Sequence, residues 1–472
     1  MERFGEYDKV PDTAQVHDMD FVSNGDKTIL DAVPLLADYS QQSLVFIRGI
    51  SIMSEHSSET LNAAVRFAES AELATEVVIG KIEHGTPAFI RTNSALFSAG
   101  FATFALLYCV QPLMPVFSHN FKVSAAGASL SLSLTTGLLA VSMLVAGVLS
   151  EAWGRKPIMV ASLFLSAMFA IISAVLPAWT EFLVTRAAMG IALSGLPAVA
   201  MAYVGEEMHP RSLGLAMGLY VGGTALGGMA GRLLTGVVTD LLGWRAAVMT
   251  MGILGLLCMG ILWRCLPASR HFVARPLRFA ALSRAYATHV RDGVLPLLFV
   301  EGFLLMGGFV TVYNYVGYRL VAPPFSLSQT AMGFIFSVYL FGVASSASAG
   351  SLSEWLGRRN MLPATLLVML IGTVLTTADS LWIVVAGIAV LTVGFFGTHS
   401  VASAWVGARA QSDKAQASSL YLFAYYLGSS VVGSLGGVFW NRGGWNGVVG
   451  MTGALFIVAI AVALWLRILQ AR

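Results

Sequence analysis

"GVLSEAWGRK" occupies residues 147–156, and "GSLSEWLGRR" occupies residues 350–359, an offset of 203. Three other pairs keep nearly the same spacing. "VAMAYVG" (199–205) returns as "VASAWVG" (401–407), and "AGF" (99–101) returns as "EGF" (301–303), both at an offset of 202. "GW" (243–244) returns as "GW" (444–445) at 201. Single short matches arise by chance among small apolar residues. Four at one nearly constant spacing do not, so the chain carries one structural unit twice, in parallel.

The repeated unit is built for lipid. Of 472 residues, 56% are hydrophobic and 11% charged, with a mean hydropathy of +0.75. A soluble domain carries about 25% charged residues, so this chain lacks the polar surface to face water. Twelve apolar runs are predicted as spans, at 93–115, 127–149, 157–177, 180–204, 212–239, 245–266, 293–318, 329–352, 360–378, 381–405, 415–439 and 446–467. Each is long enough to cross ~30 Å of hydrocarbon at ~1.5 Å per residue. Backbone groups in lipid must pair within their own segment, and alternating barrel strands are absent, so the spans read as helices. The fold class is all-α transmembrane: two six-helix bundles, 85–266 and 293–472, joined by a linker at 267–292.

Lys and Arg set the orientation. With the N-terminus inside, the inner loops hold Arg155, Lys156, Arg211, Arg358, Arg359, Arg409 and Lys414, and the central connection adds Arg264, Arg270, Arg275, Arg278, Arg284 and Arg291. The outer loops hold only Lys122, Arg245, Arg319 and Arg442. Both termini are therefore expected in the cytoplasm. Residues 1–84 are polar and lack a secretory h-region; they read as a disordered extension, with Met53 as an alternative start that would place 1–52 upstream. Cys109, Cys258 and Cys265 form no CxxC or Cys/His cluster, so neither a disulfide nor a metal site is expected. There is no GxxxxGK[ST] phosphate cradle and no HExxH. No catalytic constellation supports an enzyme.

Six-helix halves repeated in parallel are the plan of a rocker-type transporter, with its substrate site at the repeat interface near the midplane. The Gly-x-x-x-acid-x-x-Gly-Arg-Lys/Arg loop between spans 2 and 3, and again between 8 and 9, resembles the signature loop of the major facilitator superfamily. The resemblance covers residues 85–472. It is nearest to the bacterial inner-membrane efflux branch, the arabinose-efflux-permease-like and drug/proton antiporter proteins, through "FALLYCVQPLMPV", "EGFLLMG" and "SSLYLF". It implies a monomeric, multi-pass inner-membrane protein that works by alternating access. The energy source is the proton motive force, with no cofactor, and the partners are protons, a small molecule and lipid, with no nucleic acid. The chain departs from the family pattern at Ala152 and Trp355, where an arginine is usual, and at Thr224 in "GTALGG", where a proline is usual.

Ten residues make up the gating loops: Gly147, Glu151, Gly154, Arg155 and Lys156, then Gly350, Glu354, Gly357, Arg358 and Arg359. Each acid closes a helix near the N-terminus of the next, where the helix dipole favours a carboxylate. The basic residues can reach acids on neighbouring helix ends, such as Glu206 or Glu207. The plainer alternative is that they only hold the loops inside.

Three residues are assigned to proton coupling. Arg186 in "FLVTRAAMG" resembles the family's Arg-x-x-x-Gly motif, with Gly190 in place. Glu301 lies inside the apolar run "LPLLFVEGFLLMGGFV" (295–310), and His399 titrates near neutrality in water. The alternatives are an arginine pinned to carbonyls, a hydrogen-bonded Glu and a packed His. Tyr108, Gln111, Arg232, Tyr313, Asn314 and Tyr425 are assigned to the substrate cavity. An arginine in the membrane costs about 2.5–3.5 kcal/mol on the insertion scale, so Arg186 and Arg232 must face a cavity or buried acceptors. The leading function is proton-coupled efflux of small organic molecules, drug- or sugar-like. The others are a symporter of a small organic anion on the same fold, and a transporter-like membrane sensor or enzyme.

Overall fold

The computed structural model describes residues 80–272 and 279–469. The expected extension lies outside the described residues up to position 79. Its last residues are tied down: the Ile82 amide donates to Glu207 O (2.9 Å), the His209 amide donates to Ile82 O (3.0 Å), and the His84 amide donates to Ser212 Oγ (2.8 Å).

Ten helices among the described residues are long and apolar enough to cross a membrane. One of them, Lys414–Leu469, has 56 residues. At ~1.5 Å per residue it is far longer than one crossing needs, and it bends at Gly444, so it carries spans 11 and 12. The first span lies in two pieces, Pro87–Tyr108 and Met114–Phe121. Together these give the twelve spans that the hydropathy pattern predicts.

In the first half the helices are α1 (Pro87–Tyr108), α2 (Met114–Phe121), α3 (Ala125–Trp153), α4 (Arg155–Val175), α5 (Trp179–Leu193), α6 (Pro197–Glu207), α7 (Pro210–Leu242) and α8 (Trp244–Cys265). The linker carries α9 (Phe279–Val290). The second half has α10 (Leu295–Val321), α11 (Gln329–Ile335), α12 (Tyr339–Leu356), α13 (Arg358–Leu375), α14 (Leu381–Arg409) and α15 (Lys414–Leu469). A single 3₁₀ turn, Phe336–Val338, joins α11 to α12.

The repeat is visible in the backbone. Gly154 and Gly357 take φ of +94° and +81°, and Gly243 and Gly444 take +84° and +56°. These are the glycines of the matched "GR" and "GW" pairs. Side chains with a Cβ rarely adopt that conformation, so each pair marks the same sharp turn in its half. The close crossings repeat as well. A Cβ on Gly227 would come 2.0 Å from Phe101 O, and one on Gly428 would come 2.1 Å from Phe303 O. Without a side chain there, spans 1 and 5, and likewise 7 and 11, pack backbone to backbone.

The motif loops share one end of the bundle. Bonds between the halves run from mid-depth to the opposite, far end. There Asp240 accepts from the Gln329 and Thr330 amides (3.2 and 2.7 Å). Ser118 Oγ lies 2.7 Å from Tyr318 Oη, which donates to Met114 O (2.9 Å). Nearer mid-depth, Ser430 Oγ donates to Ser133 O (2.7 Å).

Candidate functional site between the two halves

The site begins where span 1 breaks. Pro112 lacks an amide donor and disrupts a helix interior, while Pro115 is tolerated in a first turn, so α1 stops at Tyr108 and α2 starts at Met114 with Pro115 as its second residue. The break leaves the carbonyls of Leu106 and Leu107 without helical partners, as any helix end does. Arg186 takes both. Its Nη1 donates to Leu106 O (3.1 Å) and its Nη2 to Leu107 O (2.9 Å), while Nε donates to Ser131 O on α3 (2.7 Å). The side chain is 1% exposed. These contacts lie within the first half, so Arg186 welds α1, α3 and α5 together. Gly190 lets α5 reach α3: a Cβ there would come 2.2 Å from Thr135 O.

Arg232 reaches the same break from α7 and is equally buried, but it looks across the interface. Nε donates to Gln111 Oε1 (2.7 Å) and Nη1 to Gly228 O (2.5 Å). Gln111 Nε2 then donates to Asn314 Oδ1 in the second half (2.8 Å). Positions 111 and 314 are themselves 203 apart, so the pseudo-twofold relation of the halves passes through this bond. Four rings surround the guanidinium: Tyr108 at 4.5 Å, Tyr339 at 4.7 Å, Phe336 at 5.4 Å and Tyr313 at 5.8 Å. Cation–π attraction of this kind contributes about 2 kcal/mol or more when desolvated. Among the described residues no carboxylate pairs with Arg232. Asn314 Nδ2 and Ser133 Oγ are buried nearby without hydrogen-bond partners; a Cβ on Gly433 would lie 3.3 Å from the first and 3.7 Å from the second.

Five of the six residues assigned to the cavity therefore gather at Arg232. The sixth, Tyr425, borders that group within electrostatic reach of Tyr108 and Tyr339, and its ring lies 4.8 Å from that of His399 and 5.1 Å from that of Tyr426. Phe336 and Tyr339 also line the site and went unassigned in the sequence. Their only sequence signal is an aromatic pair three residues apart, which places them on one face of span 8 without saying what that face meets.

Glu301 lies in the motif-end third of α10 and is 0% exposed. Neither carboxyl oxygen has a hydrogen-bond partner. Tyr421 packs beside it, since a Cβ on neighbouring Gly302 would lie 2.9 Å from the tyrosine ring. Tyr421 Oη is 3.0 Å from His399 Nδ1. The structure thus joins Glu301 and His399 through Tyr421, whereas Arg186 belongs to the other half.

The gating loops differ from each other. In the first, Arg155 clasps Glu206 with a fork (Nη2–Oε1 2.6 Å, Nε–Oε2 3.2 Å), and Lys156 Nζ donates to Leu266 O (2.5 Å). Glu207 is occupied by His271, whose amide and Nδ1 lie 2.9 and 3.1 Å from its carboxylate. In the second, Glu354, Arg358 and Arg359 line an open cavity of about 520 Å³. Gly147 and Gly350 stand in loose surroundings, with nothing closer than 3.8 Å to a Cβ on either.

Comparison with known proteins agrees with this architecture. Residues 96–321 and 298–472 match the family described as Major Facilitator Superfamily. The chain is 48% identical over 379 residues to the "Uncharacterized MFS-type transporter YybF" of Bacillus subtilis (strain 168), covering 80% of this chain and 94% of that one. It is also 48% identical over 381 residues to the "Inner membrane transport protein YnfM" of Escherichia coli (strain K12), covering 81% and 91%. A bacterial homolog of the human lysosomal transporter Spinster, solved inward-facing and unoccupied, shares the fold at a TM-score of 0.68 and 14% identity, over 81% of this chain and 98% of that one.

Proposed function

Because the chain belongs to the major facilitator superfamily, as a multi-pass membrane transporter, we propose that it exports a small organic molecule in exchange for protons by alternating access. Glu301 carries this reading. It is a fully buried carboxyl whose two oxygens have no partner, and its counterpart in the first half is Ala99. The fold thus builds the same helix without an acid. A carboxyl group in such surroundings can hold one proton as a neutral acid. It can release the proton when a conformational change brings water or a cation to it. His399 and Tyr421 provide the adjoining polar path.

The far end is fastened, so cargo enters from the motif end. The basic loops support placing that end in the cytoplasm, with both termini, and the description of YnfM supports the bacterial inner membrane. The protein works as a monomer, with no cofactor beyond the proton motive force.

A second reading, transport of a small organic anion by symport, is favoured by Arg232. Its acceptors are neutral amide and carbonyl oxygens, and a carboxylate makes bonds to a guanidinium roughly twice as strong. The test is proton movement in everted, acidified vesicles on adding organic acids, sugars or cationic drugs in turn. Efflux by antiport predicts proton release from the lumen with one of these classes, abolished in Glu301→Gln. No proton movement with any class would sink proton coupling. Import driven by protons, with organic acids alone, would replace export by the anion reading.

A further inference from the structure

The cavity at the second motif loop lies where the first half places a carboxylate. The repeat maps Ser150 onto Ser353, Arg155 onto Arg358, Tyr203 onto Trp405 and Glu206 onto Ala408. In the first half Glu206 fills this position and accepts two bonds from Arg155. In the second half a methyl group replaces the acid, and the space is open, about 520 Å³, with Arg358, Arg359 and Arg409 on its walls.

The charges balance to one missing anion. Glu354, which also lines the cavity, is the counterpart of Glu151, so each loop has that acid. Arg409 stands where the first half has Glu207, but Asp292 neutralises it at 2.9 Å. Glu207 in turn is taken up by His271, so with these two pairs set aside Glu206 is the acid that the second half lacks beside its loop arginines. The backbone favours an anion there too. Gly357 turns the chain so that α13 begins at Arg358, and the first amides of a helix have no intrahelical acceptor.

We propose that this cavity binds the headgroup phosphate of an anionic phospholipid. Lipid is preferred to a soluble anion because the last turns of α12 beside the cavity expose Trp355 (81%), Leu352 (41%) and Leu356 (41%). Tryptophan concentrates at the headgroup level, with apolar neighbours toward the acyl chains. Arginines near an anionic membrane surface are drawn to its lipid headgroups. The phosphate takes the place of the Glu206 carboxylate and pairs with Arg358 and Arg359.

The test uses the full chain in nanodiscs of phosphatidylcholine with a minor share of phosphatidylglycerol. Retained lipid is counted by native mass spectrometry after transfer to mild detergent. The wild type should hold one phosphatidylglycerol. Ala408→Glu, which restores the internal acid, should lose it. The double substitution Arg358→Gln, Arg359→Gln should weaken retention roughly tenfold or more. Glu206→Ala, which opens the matching position in the first half, should raise the count from one to two, a gain that misfolding cannot imitate. An unchanged count in Ala408→Glu and Glu206→Ala overturns the site. Occupancy by inorganic phosphate alone, equal to that by the lipid, overturns the assignment to lipid.

Discussion

Glu206 closes on Arg155 at 2.6 Å, while its repeat counterpart Ala408 leaves Arg358 facing a cavity. Ala99 is an inert methyl on α1, while its counterpart Glu301 is a buried acid with no partner. The first half also keeps both deep arginines; positions 388 and 434, the counterparts of 186 and 232 at an offset of 202, hold Ile and Ser. Backbone features behave in the opposite way. The left-handed glycines and the 2.0 and 2.1 Å crossings occur in both halves. What the two halves share is therefore the means of building six packed helices. Outside the acid and basic pair of each motif loop, what they do not share is charge, and the positions where charge differs are where ligand, proton and lipid chemistry is proposed.

Arg186 is the exception, an unshared charge whose contacts are structural. Arg186→Leu should have the largest effect of all. It leaves the carbonyls of Ser131, Leu106 and Leu107 without their guanidinium donors, each loss costing about 1–3 kcal/mol. Several kcal/mol is a large part of the stability of any domain, so the variant should barely accumulate in membranes. Arg232→Gln should accumulate normally and lose transport, because its partners are one flexible side chain, one helical carbonyl and four rings. Membrane yield and thermal unfolding in detergent separate the two. Equal losses of yield would mean that Arg232 is a second weld.

Next in size are the shared features. Gly227→Ala and Gly428→Ala each drive a methyl group into a carbonyl oxygen of the crossing helix. Overpacking of this kind costs about 1–3 kcal/mol, and the two losses should be alike. A large difference in melting temperature between them would break the claim that the halves share their packing.

Glu301→Gln sharpens the unshared side. The variant should fold and insert like the wild type, since an amide fits the same space. Its transport should fall about tenfold or more, a difference near 1.4 kcal/mol, and should no longer vary with pH. The measurement is cargo flux in proteoliposomes across a pH series. Normal flux with normal pH dependence would make Glu301 a passenger in the core.

Much of this was legible in the sequence because its signals are local. Span lengths, the repeat offset and the special glycines follow from hydropathy and from short motifs such as "GRK" and "GW". Five of the six cavity residues gather at Arg232 because polar side chains in lipid have few places to go. The rest depended on which helix faces meet. Nothing local marks Phe336 and Tyr339 as the walls around Arg232, or Tyr425 as lying with His399. The break in span 1 was written in Pro112 and Pro115, but Arg186 as its cap needed three helices brought together. The asymmetry of the loops was present at Glu206 and Ala408, one residue beyond the matched "VAMAYVG" and "VASAWVG" stretches, where the resemblance of the halves stops.

The smallest effect expected concerns Asp292, which stands at the end of the linker and repairs the charge reversal at Arg409. Burial alone would raise its carboxyl pKa, but hydrogen bonds from Arg409 and from the amides of Val294 and Leu295 outweigh burial and hold it below the usual carboxylate value. A folded pKa below the unfolded value gives stability that is present above about pH 4, the ordinary Asp range, and is lost as pH falls through the lower folded value. The linker contact is therefore intact throughout the neutral range. Asp292→Asn should cost no more than about 1 kcal/mol, as exposed ion pairs do, with transport unchanged at neutral pH. It should also tighten phosphatidylglycerol retention slightly, because Arg409 then joins Arg358 and Arg359 as an uncompensated cation. A weaker hold on the lipid in this variant would mean that Arg409 faces Asp292 for structure alone and that the charge balance of the second loop is set elsewhere.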